Sequence, residues 1–246
     1  MFSKGDLHIH STASDGALSP TEIVILAKNS RVDTIAISDH NSVAAMNEAS
    51  EAGKTYGVSV IPAVELSTRF NDESIHLLGY FRDGKYNDHN FQQILKLVKT
   101  HKVALARKTF GGFRNRNSFN NYLSVQEGIA LLRTYGAAVV LAHPIRISPK
   151  NLPGLLSLPF DGIEAKYCQS TDYYTKLFIN TALKSFCFYT AGSDFHTNKT
   201  SDFKHCVLGE PNLNSIELQR FLKNSGALVL GANSKERILG RCIAYY

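Results

Sequence analysis

Short apolar runs alternate along this chain with longer helical patterns, and several of the runs end on a histidine or a carboxylate. The runs are DTIAISDH at 33–40, GVSVIPAVELS at 57–67, SIHLLGYF at 74–81, AAVVLAHP at 137–144, FDGIEAKY at 160–167, FCFYTAGSDFH at 186–196 and KHCVLGEP at 204–211. Runs of this length, bounded by turn residues, suit strands buried on both faces, as parallel sheets require. Helical patterns fill the gaps. One spans 18–31, with Ser19 as N-cap, Pro20 at the first helical position and Glu22 three residues after the cap. Another spans 41–57, capped by Asn41 or Ser42, and a third 124–136, with Ser124 and Glu127 as a capping box and Gly136 as the stop. This α/β alternation predicts mostly parallel strands, right-handed crossovers and a closed or distorted barrel rather than an open sheet.

At 246 residues, 43% hydrophobic and 20% charged, the chain can bury one sizeable core, and 1–246 reads as a single domain. No apolar stretch approaches the roughly 20 residues that span a bilayer. The N-terminus shows no charged segment followed by an apolar signal core, so a cytoplasmic protein with no membrane role is expected. Cys168, Cys187, Cys206 and Cys242 have no Cys-x-x-Cys spacing and read as buried reduced thiols rather than a disulfide framework or a cysteine zinc site. The formal charge of +6 permits anionic partners. No obligatory protein partner is evident.

The segment GDLHIHSTASDG places His8 and His10 on one strand face and Asp15 in the following turn. Alone, His-x-His is as compatible with a polar strand face as with a metal grip. His40, Glu65, His143, Asp194 and His196 then close four further apolar runs, and in parallel α/β folds those ends converge on one rim. His76 follows Glu65 in what reads as an adjoining strand able to return to the same rim. Each has a plainer reading: His40 as a loop residue, Asp39 or Asp194 as a turn or cap, Glu65 as an exposed strand end, His143 as a residue held extended by Pro144. Taken together, six of the nine histidines fall at such positions, and metal binding is the economical explanation.

DLHIHSTASDG, ISDHN, AVELS followed by His76, AHP and GSDFH, in order from Asp6 to His196, resemble the motifs of the PHP (polymerase and histidinol phosphatase) phosphoesterase family. The resemblance implies a distorted (β/α)7 barrel with a two- or three-metal site at the strand C-terminal ends, and hydrolysis of phosphate esters. It implies that His8, His10 and Asp194 bind one metal, that Glu65 bridges it to a second held with His76 and His143, and that Asp15, His40 and His196 serve a third. Mixed imidazole and carboxylate ligands suit Mn, Zn or Fe.

Metals about 3.5 to 4 Å apart activate a shared water and clamp a phosphoryl group, so a metal-bridging hydroxide is the expected nucleophile. Asp15 or His196 is a candidate to assist the leaving group. Two or three divalent ions against three ligand carboxylates leave the pocket positive, which fits a phosphorylated substrate. Arg146 either grips that phosphate or caps the next helix, and HPIR matches the HP-x-R of the family's nucleotide-directed branch. The basic stretch 96–122, with Phe113, Phe119 and Tyr122, reads as a solvated amphipathic helix ending at Gly111 and Gly112, or as a surface that holds phosphates and stacks bases. A short helical insertion around 87–123 is expected, smaller than that branch usually carries between the positions of His76 and His143. The pattern is closest to enzymes acting on nucleoside 3',5'-bisphosphates or short RNA ends; histidinol phosphate hydrolysis and a non-catalytic metal-binding interaction domain are the alternatives. His89, His101 and His205 lie outside every motif.

Overall fold

A computed structural model describes residues 2–111, 121–199 and 205–232. Three strands at the start of the chain, β1 (Lys4–Ile9), β2 (Thr34–Ile37) and β3 (Ser59–Phe70), pair in parallel. A second parallel set follows β4 (Glu73–Phe81): β5 (Ala137–Leu141), β6 (Gly162–Tyr167) and β7 (Phe188–Gly192). Strand β4 joins the two sets by running antiparallel to both β3 and β5. The extension of β7 returns to the start of the sheet, where Ile9 bridges Phe195 in parallel and the His10 amide donates to the Phe195 carbonyl at 2.9 Å. The sheet is thereby a nearly closed barrel, as expected, but a mixed one.

Two capping boxes form where the sequence places them. Ser19 and Glu22 start α1 (Pro20–Asn29), and Ser124 and Glu127 start the helix Val125–Thr134. The helix expected from residue 41 instead begins at Met46 and is α2 (Met46–Tyr56). Asn41 is not its cap: it sits at φ 49°, and its side-chain amide exchanges two hydrogen bonds with Ser67, tying the end of β2 to β3. The first part of the basic stretch lies in two helices, α3 (His89–Lys99) and α4 (Val103–Phe110), broken at His101, which has φ 56°. The helix Val125–Thr134 is α5, and Glu127 there is buried against Arg107 of α4 at 2.7 Å. Phe113 and Phe119 lie outside the described residues; Tyr122 lies under the Arg69 guanidinium, 4.3 Å from its ring centre.

Three more helices follow among the described residues: α6 (Leu152–Leu156), α7 (Asp172–Ser185) and α8 (Ser215–Ser225). The run at 204–211 is not a strand in its described part. Gly209 takes φ 88°, its amide is spent on the buried Asp6 carboxylate, and Pro211 has no amide to offer a ladder. Two short strands, β8 (Leu213–Asn214) and β9 (Leu230–Gly231), pair antiparallel with β1 and β3.

Cys168 and Cys206 are not the reduced thiols expected from their spacing but form a disulfide with Cα atoms 5.5 Å apart. Sequence spacing could not show this. Strands β6 and β7 are neighbours, so the segments that follow them meet although 38 residues separate the two cysteines. Cys187 is not in a disulfide, and Cys242 lies outside the described residues. No helix among the described residues is long and apolar enough to cross a membrane.

The barrel interior is filled by buried side chains from every long strand, and α8 seals the end opposite the strand tips. Phe221 of α8 packs edge-on against Tyr80 and Phe188, with ring centres 5.1 and 5.3 Å away. Because Phe221 is fully buried, Phe221→Ala is expected to lower the unfolding free energy by about 3 to 5 kcal/mol in urea denaturation. A loss under about 1 kcal/mol would mean that α8 does not seal the barrel.

Candidate metal centre

The polar residues singled out in the sequence converge on one rim. His8 and His10 come from the end of β1, His40 follows β2, Glu65 lies in β3, His143 follows β5, and Asp194 and His196 follow β7. His76 arrives by another route. It lies early in β4, opposite Ser67 of β3, and because β4 is antiparallel its first half reaches the rim where its neighbours end.

Glu65 is at the centre. Its Oε2 lies 3.4 Å from His8 Nε2, 3.2 Å from His10 Nε2 and 3.0 Å from His40 Nδ1. Its Oε1 lies 2.9 Å from His76 Nδ1 and 3.1 Å from His143 Nε2. Asp194 Oδ1 closes the first group, 3.4 and 3.2 Å from the Nε2 atoms of His8 and His10. A third group surrounds Asp15, with His196 Nε2 at 3.4 Å, His10 Nδ1 at 3.5 Å and His40 Nε2 at 3.7 Å. His10 and His40 therefore each face two groups, an overlap that the sequence reading did not contain.

The backbone that aims these side chains is unusual. His143 has φ 29° and Asp194 φ 52°, left-handed conformations that are costly for residues with a Cβ and that gather at functional sites. Pro144 accordingly does not hold His143 extended. The turn that presents Asp15 requires Gly16, where a Cβ would stand 2.3 Å from the His10 carbonyl oxygen. That turn is fixed by Asp39, which accepts from the amide and hydroxyl of Ser11 and from the Ser14 hydroxyl.

Burial opposes charge on each of these groups, and their mutual attraction mostly overrides it. Against burial, His76, His8 and His40 hold Glu65 well below the usual carboxylate range, and His8 and His10 do the same for Asp194. Burial likewise disfavours charge on His8, but Glu164, Glu65 and Asp194 push it well above an ordinary imidazole; His10 rises to about 9 through Asp194 and Glu65. His40 falls to about 4, because burial and the neighbouring charges of His10 and His76 outweigh Glu65 and Asp15.

A divalent cation fits this donor set. His8 Nε2, His10 Nε2, His40 Nδ1 and Glu65 Oε2 are buried with no hydrogen-bond partner, a costly arrangement for polar atoms unless something else satisfies them. The ligand atoms of His8, His10, Glu65 and Asp194 all lie within 4.8 Å of one another, as do those of His10, Asp15, His40 and His196.

Residues 6–184 match the family model of the PHP domain. The chain belongs to the PHP domain family. Among curated relatives, the 5'-3' exoribonuclease Rnm of Escherichia coli is 27% identical over 247 residues, covering 78% of this chain and 84% of that protein. A Haemophilus influenzae 5'-3' exoribonuclease is 47% identical over 79 residues, 32% of this chain and 29% of its own. The 3',5'-nucleoside bisphosphate phosphatase of Chromobacterium violaceum is 35% identical over 74 residues, 30% of this chain and 26% of its own. The fold matches a Bifidobacterium adolescentis structure described as a metal-dependent phosphoesterase, with TM-score 0.70, 19% identity and coverage of 89% of this chain and 95% of that one.

Three residues that hold this candidate centre in place were missed in the sequence. Glu164, fully buried in β6, sits 2.9 Å from His8 Nδ1 and accepts from the His143 backbone amide at 2.7 Å, so it orients the His8 imidazole and pins the backbone that carries His143. Asp6 accepts from the amide and hydroxyl of Ser193 and from the Gly209 amide, joining β1 to the segment that carries Asp194. Burial, opposed by these donors, raises Asp6 to about 6. The Tyr167 hydroxyl donates to Asp194 Oδ2 at 2.8 Å. Glu164 and Asp6 are carboxylates inside strand-like runs, GIEAKY and KGDLHI, whose neighbours are mostly apolar, a signal that could have flagged them.

Arg146 does reach the rim. Half-exposed in a short 3-10 turn, it lies 3.3 Å from the Tyr167 hydroxyl and 3.8 Å from Asp194 Oδ2. Because carboxylates behind ligating histidines set their orientation and basicity, Glu164→Ala is expected to weaken Mn2+ binding about 10- to 100-fold in calorimetric titration. Unchanged affinity would contradict the role of Glu164.

Proposed function

We propose that this PHP phosphoesterase hydrolyses nucleotide-type phosphate esters, with nucleoside 3',5'-bisphosphates and short RNA ends as its substrates. The observation that carries the reading is the shared carboxylate of Glu65, one oxygen facing His8 and His10 and the other facing His76 and His143. In this reading His8, His10, Asp194 and Glu65 hold one cation, Glu65, His76 and His143 a second, and Asp15, His40 and His196 a third. Two or three divalent ions of the Mn, Zn or Fe class would polarise the phosphoryl oxygens and acidify the attacking water.

The chain's own groups do the rest. Glu65 fixes the spacing of the two central positions. Arg146, half-exposed and held beside Tyr167 and Asp194, would grip phosphate oxygens of the substrate. Asp15 and His196, at the outer edge of the centre, are placed to assist the leaving oxygen. Relatives named for RNA and for nucleoside bisphosphates support the nucleotide class.

Room for the remainder of such a substrate exists beside His40. A cleft of about 540 Å3 lies between residues 41–44 and one face of α3, lined by Asn41, Gln92, Gln93, Lys96 and Lys99. Lys96 and Lys99 on a wall that also carries Val43, Ala44 and Leu95 suit a polyanion that continues past the reacting phosphate. We include cytoplasmic action in the proposal; a disulfide is uncommon there outside proteins whose thiols respond to redox state.

Phosphate release should be assayed with Mn2+ from a nucleoside 3',5'-bisphosphate, short RNA and histidinol phosphate, with the His143→Ala variant alongside. The reading predicts turnover of the first two, a loss of about 100-fold or more in His143→Ala, and abolition by chelator with recovery on adding Mn2+. Turnover of histidinol phosphate alone would overturn the substrate class, and an unaffected His143→Ala would overturn the mechanism. Lys96→Glu is expected to raise KM for short RNA several-fold with little change in kcat, since its contact is remote from the reacting phosphate. An unchanged KM would remove the cleft from the substrate path.

A further inference from the structure

His205, which no motif includes, lies against the centre. Its ring stacks on His196 with centres 3.9 Å apart and planes 22° from parallel, while His10 stacks on the other face of His196 at 4.2 Å and 20°. His196 is thus the middle ring of three. The inner ring, His10, is fully buried and cannot move; the outer ring is carried by a segment with a specific anchor. Cys206, the next residue, donates its amide to the Ser193 carbonyl at 3.1 Å and is disulfide-bonded to Cys168, the residue after β6.

The ligand atoms of Asp194, His196 and His205 lie close enough together to suggest a shared ion. The ring geometry argues otherwise. An imidazole binds a cation along its nitrogen lone pair, in the ring plane, and two nearly parallel rings 3.9 Å apart have no point common to both planes at bonding distance. His205 is placed to restrain His196, whose Nε2 faces Asp15 at 3.4 Å while its Nδ1 is 2.7 Å from the Asp194 carbonyl.

On the reading of Asp15, His40 and His196 as a cation position, we propose that His205 is a positioning residue for that position, held over His196 by the Cys168–Cys206 disulfide, so that a dithiol reductant weakens cation binding there. The reaction is ordinary exchange. One thiolate of the dithiol attacks a sulfur of the disulfide, the other cysteine leaves as a thiolate and takes up a proton, and the second thiol of the reagent closes its own disulfide to release the first cysteine. The protein's disulfide gains two electrons and two protons, and the dithiol loses them. Both cysteines are half-buried rather than enclosed, which leaves the bond open to attack.

The test is Mn2+ titration by calorimetry of the oxidised full-length protein, with phosphate release measured in parallel. His205→Ala is expected to weaken one class of site by about tenfold or more and leave the tighter sites unchanged. His205→Phe, which keeps a ring over His196 but has no ligand atom, is expected to restore most of that affinity. The Cys168→Ser/Cys206→Ser double variant, and wild type treated with dithiothreitol, should behave as His205→Ala does, and the reductant should add nothing to His205→Ala itself. Full affinity in His205→Ala overturns the proposal, as does a His205→Phe no better than Ala, which would make the imidazole a direct ligand. Full affinity in the double variant, or in reduced wild type, overturns the tether. These outcomes are distinct from failure of the proposed function, which would show as wild-type protein that binds Mn2+ yet releases no phosphate from any ester.

Discussion

A fully buried carboxylate surrounded by imidazoles is the constraint around which this molecule is built. An unpaired Glu65 inside a barrel would cost several kcal/mol, and five histidines drawn from four segments of the chain supply its compensation. Those segments must end at one height. The parallel strands bring His8, His10, His40 and His143 there by their C-terminal ends. The reversal of β4 brings His76 by its first half, and that reversal is what lets a single glutamate serve two groups of histidines. Coordination requires neutral imidazoles, and His8 and His10 are raised by their carboxylate neighbours; a cation entering here displaces protons as it binds.

Around that centre the structure spends stability on aim. His143 and Asp194 adopt left-handed backbone, Gly192 admits no Cβ because one would stand 2.1 Å from the Cβ of His8, and Glu164 and Asp6 are buried charges that a purely structural barrel would not need. Each feature costs folding energy and each fixes the direction of a residue at the rim. The bottom of the barrel shows the opposite pattern, with Phe221, Tyr80 and Phe188 packed as aromatic filling.

Most of the candidate centre's convergence was legible because its residues sit at strand ends, where apolar patterning gives their position and side-chain chemistry marks them as possible ligands. The barrel was legible for the same reason. The reversal of β4 was not, since SIHLLGYF has the same pattern in either direction. Glu164 escaped notice because its meaning depends on His8, which is 156 residues away and adjacent only after the barrel closes. The Cys168–Cys206 bridge and the stacking of His205 were hidden likewise: both arise where the segments after β6 and β7 meet, a contact no local spacing records. At 204–211 the apolar pattern misled, because Gly209 and Pro211 break the ladder that Val207 and Leu208 suggest.

The central claim, that Glu65 is shared between two cations, is tested most directly by anomalous diffraction from crystals grown with Mn2+. The account predicts two anomalous peaks in contact with Glu65, one on the side of His8, His10 and Asp194 and one on the side of His76 and His143. A single peak, or peaks that leave Glu65 uncoordinated, would contradict it.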